Sequence, residues 1–229
     1  MTTETIPSAD AIALDLAGHT LWLLPERAVW WPATRTLFVA DLHLGKAASF
    51  RALGQPVPSG TTQDNLDRLS ALLLAHDAAR IVFLGDLLHA VHAQQASILE
   101  PLQRWRETHA ALVCTLVRGN HDSHAGDPPP SLGFHIVDEP WRVSSGAPLL
   151  ACHHPQPVAD HLVLAGHWHP VVTLRGRARD HQRLPCFCRS GGMLVLPAFG
   201  AFTGGSTRAL PEGAVCYAVG GGRVWPPGR

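Results

Sequence analysis

Five short polar motifs each close an apolar run in this chain: Asp41-Leu42-His43, Gly85-Asp86, Gly119-Asn120-His121-Asp122, His153-His154 and Gly166-His167-Trp168-His169. The runs before them, residues 36–40, 81–84, 111–117, 149–151 and 162–165, are short and mostly aliphatic or β-branched, which reads as buried strands. In an open α/β sheet, side chains at the C-terminal ends of successive strands converge on one crevice. Carboxylate, imidazole and amide groups are ligands for divalent transition metals. A fold that gathers these motifs therefore gathers a metal centre.

The rest of the chain supports that architecture. Residues 11–16, 21–24 and 28–31 read as further short strands, and residues 44–60 as a loop punctuated by Gly and Pro. Residues 61–77 place Leu66, Leu69, Leu72 and Leu73 at helical spacing behind Thr61 or Thr62 as N-cap, and residues 94–109 read as a second helix. Strand, helix, strand over residues 36–86 is the rhythm of a parallel unit, repeated once through residue 117. Asp127-Pro128-Pro129-Pro130 breaks the rhythm, and residues 171–224 are rich in Gly and β-formers, as in a meander completing a second sheet. With no repeat and no linker, the expectation is an α/β fold in one domain, residues 1–229: a two-sheet αββα sandwich with helices outside.

Composition narrows the setting. A hydrophobic fraction of 46% is ample for a core, and a formal net charge of zero gives no bulk signal of a nucleic-acid binder. Lys46 is the only lysine. The five cysteines, Cys114, Cys152, Cys186, Cys188 and Cys216, lack the spacing of a disulfide framework and read as reduced core thiols. Cys186 and Cys188 share a strand face, but no second Cys or His pair follows at zinc-site spacing. Residues 1–10 are polar, and no apolar run is long enough to cross a bilayer. A soluble, cytoplasmic protein with no membrane partner is expected.

Within the motifs, Asp41 and His43 are one residue apart, so an extended strand end would put both on one face. Asp86 can bridge two cations through its two oxygens, the arrangement of two-metal hydrolases. Asn120 offers a neutral oxygen, and His153, His167 and His169 complete the set. If His153 points at the metals, neighbouring His154 points away. Lys46, Phe50 and Arg51 follow the first motif where a substrate strand would pass, suited to phosphate contact and base stacking. Arg175, Arg177, Arg179 and Arg183 could track a nucleic-acid backbone. His89, His124 and Trp168 are placed to line the crevice, whereas His19, His76, His92, His109, His135, His161 and His181 read as solvent-facing.

In order and composition the motifs resemble the signature of the calcineurin-like metallophosphoesterase superfamily, D-x-H, G-D-x-x-D, G-N-H-D/E, H and G-H-x-H, except that His89 replaces the last Asp of the second motif. The segments Ala40-Asp41-Leu42-His43-Leu44-Gly45-Lys46, Phe50-Arg51-Ala52-Leu53-Gly54, Val57-Pro58-Ser59-Gly60 and Leu196-Pro197-Ala198-Phe199-Gly200-Ala201-Phe202-Thr203-Gly204-Gly205 further resemble its bacterial branch of ligase-associated DNA damage response endonucleases. The resemblance implies two divalent ions, Mn²⁺ foremost with Fe or Zn as alternatives. One would take Asp41, His43, Asp86 and His169, and the other Asp86, Asn120, His153 and His167. It implies His121 as the catalytic group on the leaving oxygen. Asp122, next in sequence, could orient that ring, and two such ions would lower the pKa of a bridging water to give a hydroxide nucleophile. The resemblance also implies cleavage of DNA, chiefly single-stranded, in repair, and functional association with a DNA ligase and a helicase. The competing readings are an esterase for a small nucleotide or lipid-linked substrate, disfavoured by the lack of an apolar helical insert, and a non-catalytic scaffold, disfavoured by the complete ligand set.

Overall fold

The computed structural model describes residues 10–16, 18–175, 181–206 and 210–228. Three antiparallel strands come first, β1 (Ile12–Leu16), β2 (His19–Leu23) and β3 (Val29–Trp31), followed by β4 (Thr36–Val39) antiparallel to β3. From β4 the first sheet continues in parallel through β5 (Arg80–Leu84), β6 (Val113–Val117) and β7 (His135–Val137). Its connections carry helices α1 (Lys46–Ala52), α2 (Thr61–Ala75), α3 (Ala96–Thr108) and α4 (Asn120–Ala125).

The second sheet is built from β8 (Trp141–Arg142), β9 (Leu149–Ala151), β10 (Leu162–Ala165), β11 (Val171–Arg175), β12 (His181–Ser190), β13 (Met193–Val195), β14 (Val215–Gly220) and β15 (Arg223–Trp225). Parallel pairing of β10 with β9 and β13 forms its centre.

Alternation along β4 shows how the layers form. Leu37 and Val39 face the helices, packing with Leu66 and Leu69 of α2 and Leu102 and Trp105 of α3, while Phe38 faces the second sheet with Phe187 and Leu194. Phe38 and Phe187 are fully buried, and truncating either to alanine would cost roughly 3–5 kcal/mol. The two sheets therefore share one apolar layer, with helices on the far side of the first.

The two-sheet sandwich matches expectation, with four local differences. Among the described residues no helix follows Ala125 except one 3-10 turn, Pro130–Leu132. A small cluster of Leu150, Cys152, Val163, Ala165 and Met193 is assembled from strands of the second sheet, because the second half of the chain has no segment of helical period. The expected 44–60 loop contains α1, which begins after Gly45 at φ 85. Gly60, also left-handed at φ 84, occupies the N-cap of α2 in place of a threonine. His76 is buried, its ring centroid 5.1 Å from that of Trp30, and is not solvent-facing.

All five cysteines are free thiols, four of them buried, and β12 to β14 pairing sets Cys216 opposite Cys188. Among the described residues no helix is long and apolar enough to cross a membrane.

Candidate metal centre

Strands β4, β5, β6, β9 and β10 all end at the same edge of the sandwich, and each hands over to one motif. Beyond the strand ends the backbone turns sharply. Asp41 (φ 56), His43 (φ 49), Asp86 (φ 52), His167 (φ 66) and His169 (φ 45) all adopt left-handed conformations. These replace the extended geometry expected for Asp-x-His. Such conformations cost non-glycine residues on the order of 1 kcal/mol or more and persist where the surroundings enforce them.

Close packing does the enforcing. A Cβ on Gly85 would overlap the His153 ring, and one on Gly119 would overlap the Asp86 carboxylate. The Asp41 and His43 amides donate to the carbonyls of Gly85 (3.3 Å) and Asp86 (2.9 Å), tying the first motif to the second.

The side chains of Asp41, His43, Asp86, Asn120, His153, His167 and His169 come together. Asp41 and Asp86 are both buried. The Asp41 Oδ2 accepts the His167 N–H at 2.9 Å, while its Oδ1 lies 3.3 Å from His169 Nε2. Asp86 faces both ways: Oδ2 is 3.7 Å from His43 Nε2, and Oδ1 is 3.5 Å from His153 Nε2. His43 Nε2 and His169 Nε2 stand 3.4 Å apart.

This donor set fits metal ions on two local observations. Asp41 Oδ1 is buried without a hydrogen-bond partner, an expensive state for a carboxylate oxygen unless a cation meets it. His153 Nδ1 lies 3.0 Å from the Leu84 carbonyl, which only an N–H can satisfy. The other ring nitrogen, Nε2, faces Asn120 Oδ1 at 2.9 Å and His167 Nδ1 at 3.1 Å. Nitrogen and oxygen ligand atoms gathered this closely are what a cation organises. Asp41, Asp86 and His153 form one group with ligand atoms within 4.8 Å of one another, and Asp41, His43 and His169 form a second.

Electrostatics points the same way. Burial, reinforced by Lys46, pushes His43 far below the usual imidazole range. His167 falls to about 4 through burial and the neighbouring His153, and His89 falls to about 4 through burial and His121. Neutral imidazoles at physiological pH keep their lone pairs available to metal. The Asp86 pKa is raised, first by burial.

Around this cluster the remaining expected residues are distributed unevenly. His121 donates its backbone N–H to Asp86 Oδ1 at 2.9 Å, places Nδ1 2.8 Å from the His89 carbonyl, and stacks its ring 4.8 Å from that of His89. His89 Nδ1 is also 3.3 Å from His43 Nδ1. Lys46 is half-buried at the start of α1, within the field of Asp41 and Asp86. Phe50 packs edge-on against Phe202, and Arg51 donates to the Pro58 carbonyl at 2.7 Å.

Asp122 requires a correction. Its carboxylate accepts the backbone N–H groups of Asp86 (2.7 Å), Leu88 (3.0 Å) and Gly119 (3.0 Å) and does not orient the His121 ring. A fully buried carboxylate beside three converging amides satisfies them first.

Residues 34–180 match the family model described as calcineurin-like phosphoesterase. The chain belongs to that family. The crystal structure of Pseudomonas putida nuclease MPE superposes with a TM-score of 0.81 at 44% identity, over 94% of this chain and 99% of that one. An E. coli phosphoesterase, Yfce, aligns with a TM-score of 0.44 at 18% identity, over 82% of this chain and 95% of that one. Among curated proteins none matches at a significant level.

One further member of this phosphoesterase's site, Glu139, is not legible in its motifs. Glu139 accepts the backbone N–H groups of His153 (2.6 Å) and His154 (2.8 Å), and its other oxygen lies 2.6 Å from His154 Nδ1. The His154 ring consequently stays at the site, 4.5 Å from that of His167, and does not point away as expected. A Glu followed by Pro140, in an irregular connection, carries no motif that could have flagged it. His124 is exposed on α4, and Arg177 and Arg179 of the expected basic stretch lie outside the described residues.

Proposed function

We propose that this phosphoesterase is a DNA endonuclease, acting on single-stranded DNA in preference to duplex, with two divalent ions held by Asp41, His43, Asp86 and His169 on one side and by Asp86, Asn120, His153 and His167 on the other. The observation that carries the metal assignment is the buried Asp41 to Asp86 pair ringed by histidines, with one Asp41 oxygen lacking a hydrogen bond. DNA as substrate is supported by the 44% identity to a protein described as a nuclease. Manganese is the expected ion, with iron or zinc as alternatives. The reading takes residues 1–229 as one domain working in the cytoplasm, in DNA repair alongside a ligase and a helicase.

When bound, such ions supply Lewis acidity that polarises a phosphodiester and lowers the pKa of water toward about 7. The chain's own residues do the rest. Asp86 presents one oxygen to each side of the centre. His121, with Nδ1 committed near the His89 carbonyl, has Nε2 as the atom to deliver a proton to the leaving oxygen. Asp122 holds the backbone that positions Asp86 and His121. Lys46, Phe50, Arg51 and His89 are the proposed first contacts of the substrate strand.

The test is a Mn²⁺-dependent assay on single-stranded, duplex and hairpin DNA beside bis-p-nitrophenyl phosphate, for wild type, Asp86→Ala and His121→Ala. Hydrolysis of the small diester with no cut in any DNA would refute the nuclease reading. Full activity in Asp86→Ala would refute the metal assignment.

A further inference from the structure

A cleft of about 240 Å³ opens beside His169 and passes between the 198–205 segment and strands β11 and β12. Its walls are bonded to the metal-facing loops. The Gly200 N–H donates to the Asp41 carbonyl at 3.2 Å, and the Ser206 N–H donates to the His169 carbonyl at 3.0 Å. The cleft is thus fixed in position relative to the centre.

Two guanidinium groups line it. Arg27, from the turn before β3, donates weakly to the Ala198 carbonyl at 3.4 Å, and Arg183 of β12 donates to the carbonyls of Gly205 (3.2 Å) and Ser206 (3.1 Å). A guanidinium carries five donors, so among the described residues most of these donors are uncommitted. Behind Arg27, Arg68 lies 4.2 Å over the Phe199 ring and donates to the carbonyls of Phe199 and Glu26. Ion pairs among the described residues engage Arg35, Arg118 and Arg223, not Arg27, Arg68 or Arg183. Burial lowers the pKa of Arg27, and burial together with the Arg27 charge lowers that of Arg68. An anion in the cleft would relieve both effects.

The anion's class follows from the lining. A planar fork pre-oriented by carbonyls matches two oxygens of a phosphate group. One stretch of the wall, Pro170, Val171 and Pro185, is apolar, which suits a sugar and base held without sequence preference. Gly205 packs so tightly on the Val171 side chain that an added Cβ would overlap it.

We propose that Arg27 and Arg183 grip a phosphodiester of the DNA strand flanking the scissile one, so that the cleft selects a polynucleotide over an isolated diester. This rests on the DNA phosphodiesterase reading and adds to it the residues that recognise the polymer.

The experiment compares wild type, Arg27→Gln, Arg183→Gln and the double variant on three probes: oligothymidylate, thymidine 5′-(p-nitrophenyl phosphate) and bis-p-nitrophenyl phosphate. For the double variant, KM for oligothymidylate rises about tenfold or more, while kcat/KM for both p-nitrophenyl esters stays within about twofold. Binding of fluorescein-labelled oligothymidylate, read by anisotropy across a salt series without turnover, loses about 0.7 from its log–log slope per phosphate contact removed. Arg27→Lys restores part of the binding, because it keeps the charge without the fork. Matching melting temperatures separate these effects from misfolding.

An unchanged KM and salt slope in folded variants would overturn the proposal while leaving the nuclease reading intact. Equal losses on thymidine p-nitrophenyl phosphate would overturn it in favour of a site for the reacting nucleotide, and competition by inorganic phosphate as strong as by oligothymidylate would overturn it in favour of a free-anion site. A wild-type protein that neither binds nor cuts oligothymidylate would refute the DNA reading itself.

Discussion

The Asp122 carboxylate accepts the backbone N–H of Asp86 at 2.7 Å, so the residue after His121 builds the loop that presents Asp86. Two more amides, Leu88 and Gly119, donate to the same carboxylate. One fully buried side chain therefore fastens the second motif to the third. Burial raises the Asp122 pKa to about 6, against the pull of the Leu88 and Gly119 N–H groups.

Asp122→Ala strands three buried donors at once, and each unsatisfied group costs about 1–3 kcal/mol. The variant should lose roughly 3 kcal/mol or more in urea unfolding and bind Mn²⁺ more weakly in calorimetry. Asp122→Asn keeps one acceptor oxygen and should fall between. A stability equal to wild type in Asp122→Ala would show that the three bonds are dispensable.

Gly119→Ala tests the close approach of the same two motifs. Its Cβ would overlap Asp86, whose backbone N also lies within 2.6 Å of that point, so the neighbour cannot yield by rotating a side chain. Activity should fall about 100-fold or more through a displacement on the order of 1 Å, whereas Gly146→Ala, with open space around it, should behave as wild type.

How far this centre can be read from the chain depends on which forces place each part. The motifs are legible because each sits at the end of an apolar run, and strand burial alone brings residues 41, 86 and 120 to one edge. Their left-handed turns are not legible, since they arise from packing of Gly85 against His153 and Gly119 against Asp86, contacts between segments 68 and 33 residues apart. Helix α1, at seven residues, is too short to show an apolar period. Glu139 and Arg27 enter through tertiary contact only. The second helical layer is expected from the fold's general form, but the residues after 125 contain no amphipathic stretch to build it.

Asp86→Asn should separate metal binding from folding. Burial raises the Asp86 pKa, with repulsion from Asp41 adding to the effect, so the ionised pair destabilises the metal-free fold. Chelated Asp86→Asn should therefore melt at or above the temperature of chelated wild type. On adding Mn²⁺, wild type should gain about 3 kcal/mol at 100-fold excess over Kd, and the variant should gain little. Equal metal-dependent shifts in the two proteins would sink the bridging role.

A surface fork brackets the third motif and should give a modest acid dependence. Arg118 Nε and Nη2 each lie 2.9 Å from an Asp127 oxygen, and Nη1 pairs with Asp138. Hydrogen bonding to Arg118 lowers the Asp127 pKa below its ordinary carboxylate value. A lowered folded-state pKa contributes stability above the unfolded value and loses it as pH falls through the folded one. Asp127 is 42% exposed in its side chain, so solvent screening limits the gain to about 1 kcal/mol or less. Arg118→Gln should be less stable than wild type by that amount near pH 7 and indistinguishable from it near about pH 2, by urea unfolding at both.

The role of His121 is best tested through the leaving group. Its backbone N–H is held by Asp86 at 2.9 Å and its Nδ1 lies near the His89 carbonyl at 2.8 Å, so the ring is fixed from two sides and Nε2 is the atom left for proton delivery. A departing nucleoside alkoxide is strongly basic and needs that proton, whereas p-nitrophenolate leaves without help. Positioned acid catalysis is worth about 10²–10⁴-fold. His121→Gln should therefore lower kcat on DNA by that factor, with KM little changed, while turnover of bis-p-nitrophenyl phosphate falls far less. A residue that merely steadies Asp86 would depress both substrates equally, so parallel losses would assign His121 to positioning and leave the general acid to be sought elsewhere, with His89, stacked on its ring, as the next candidate.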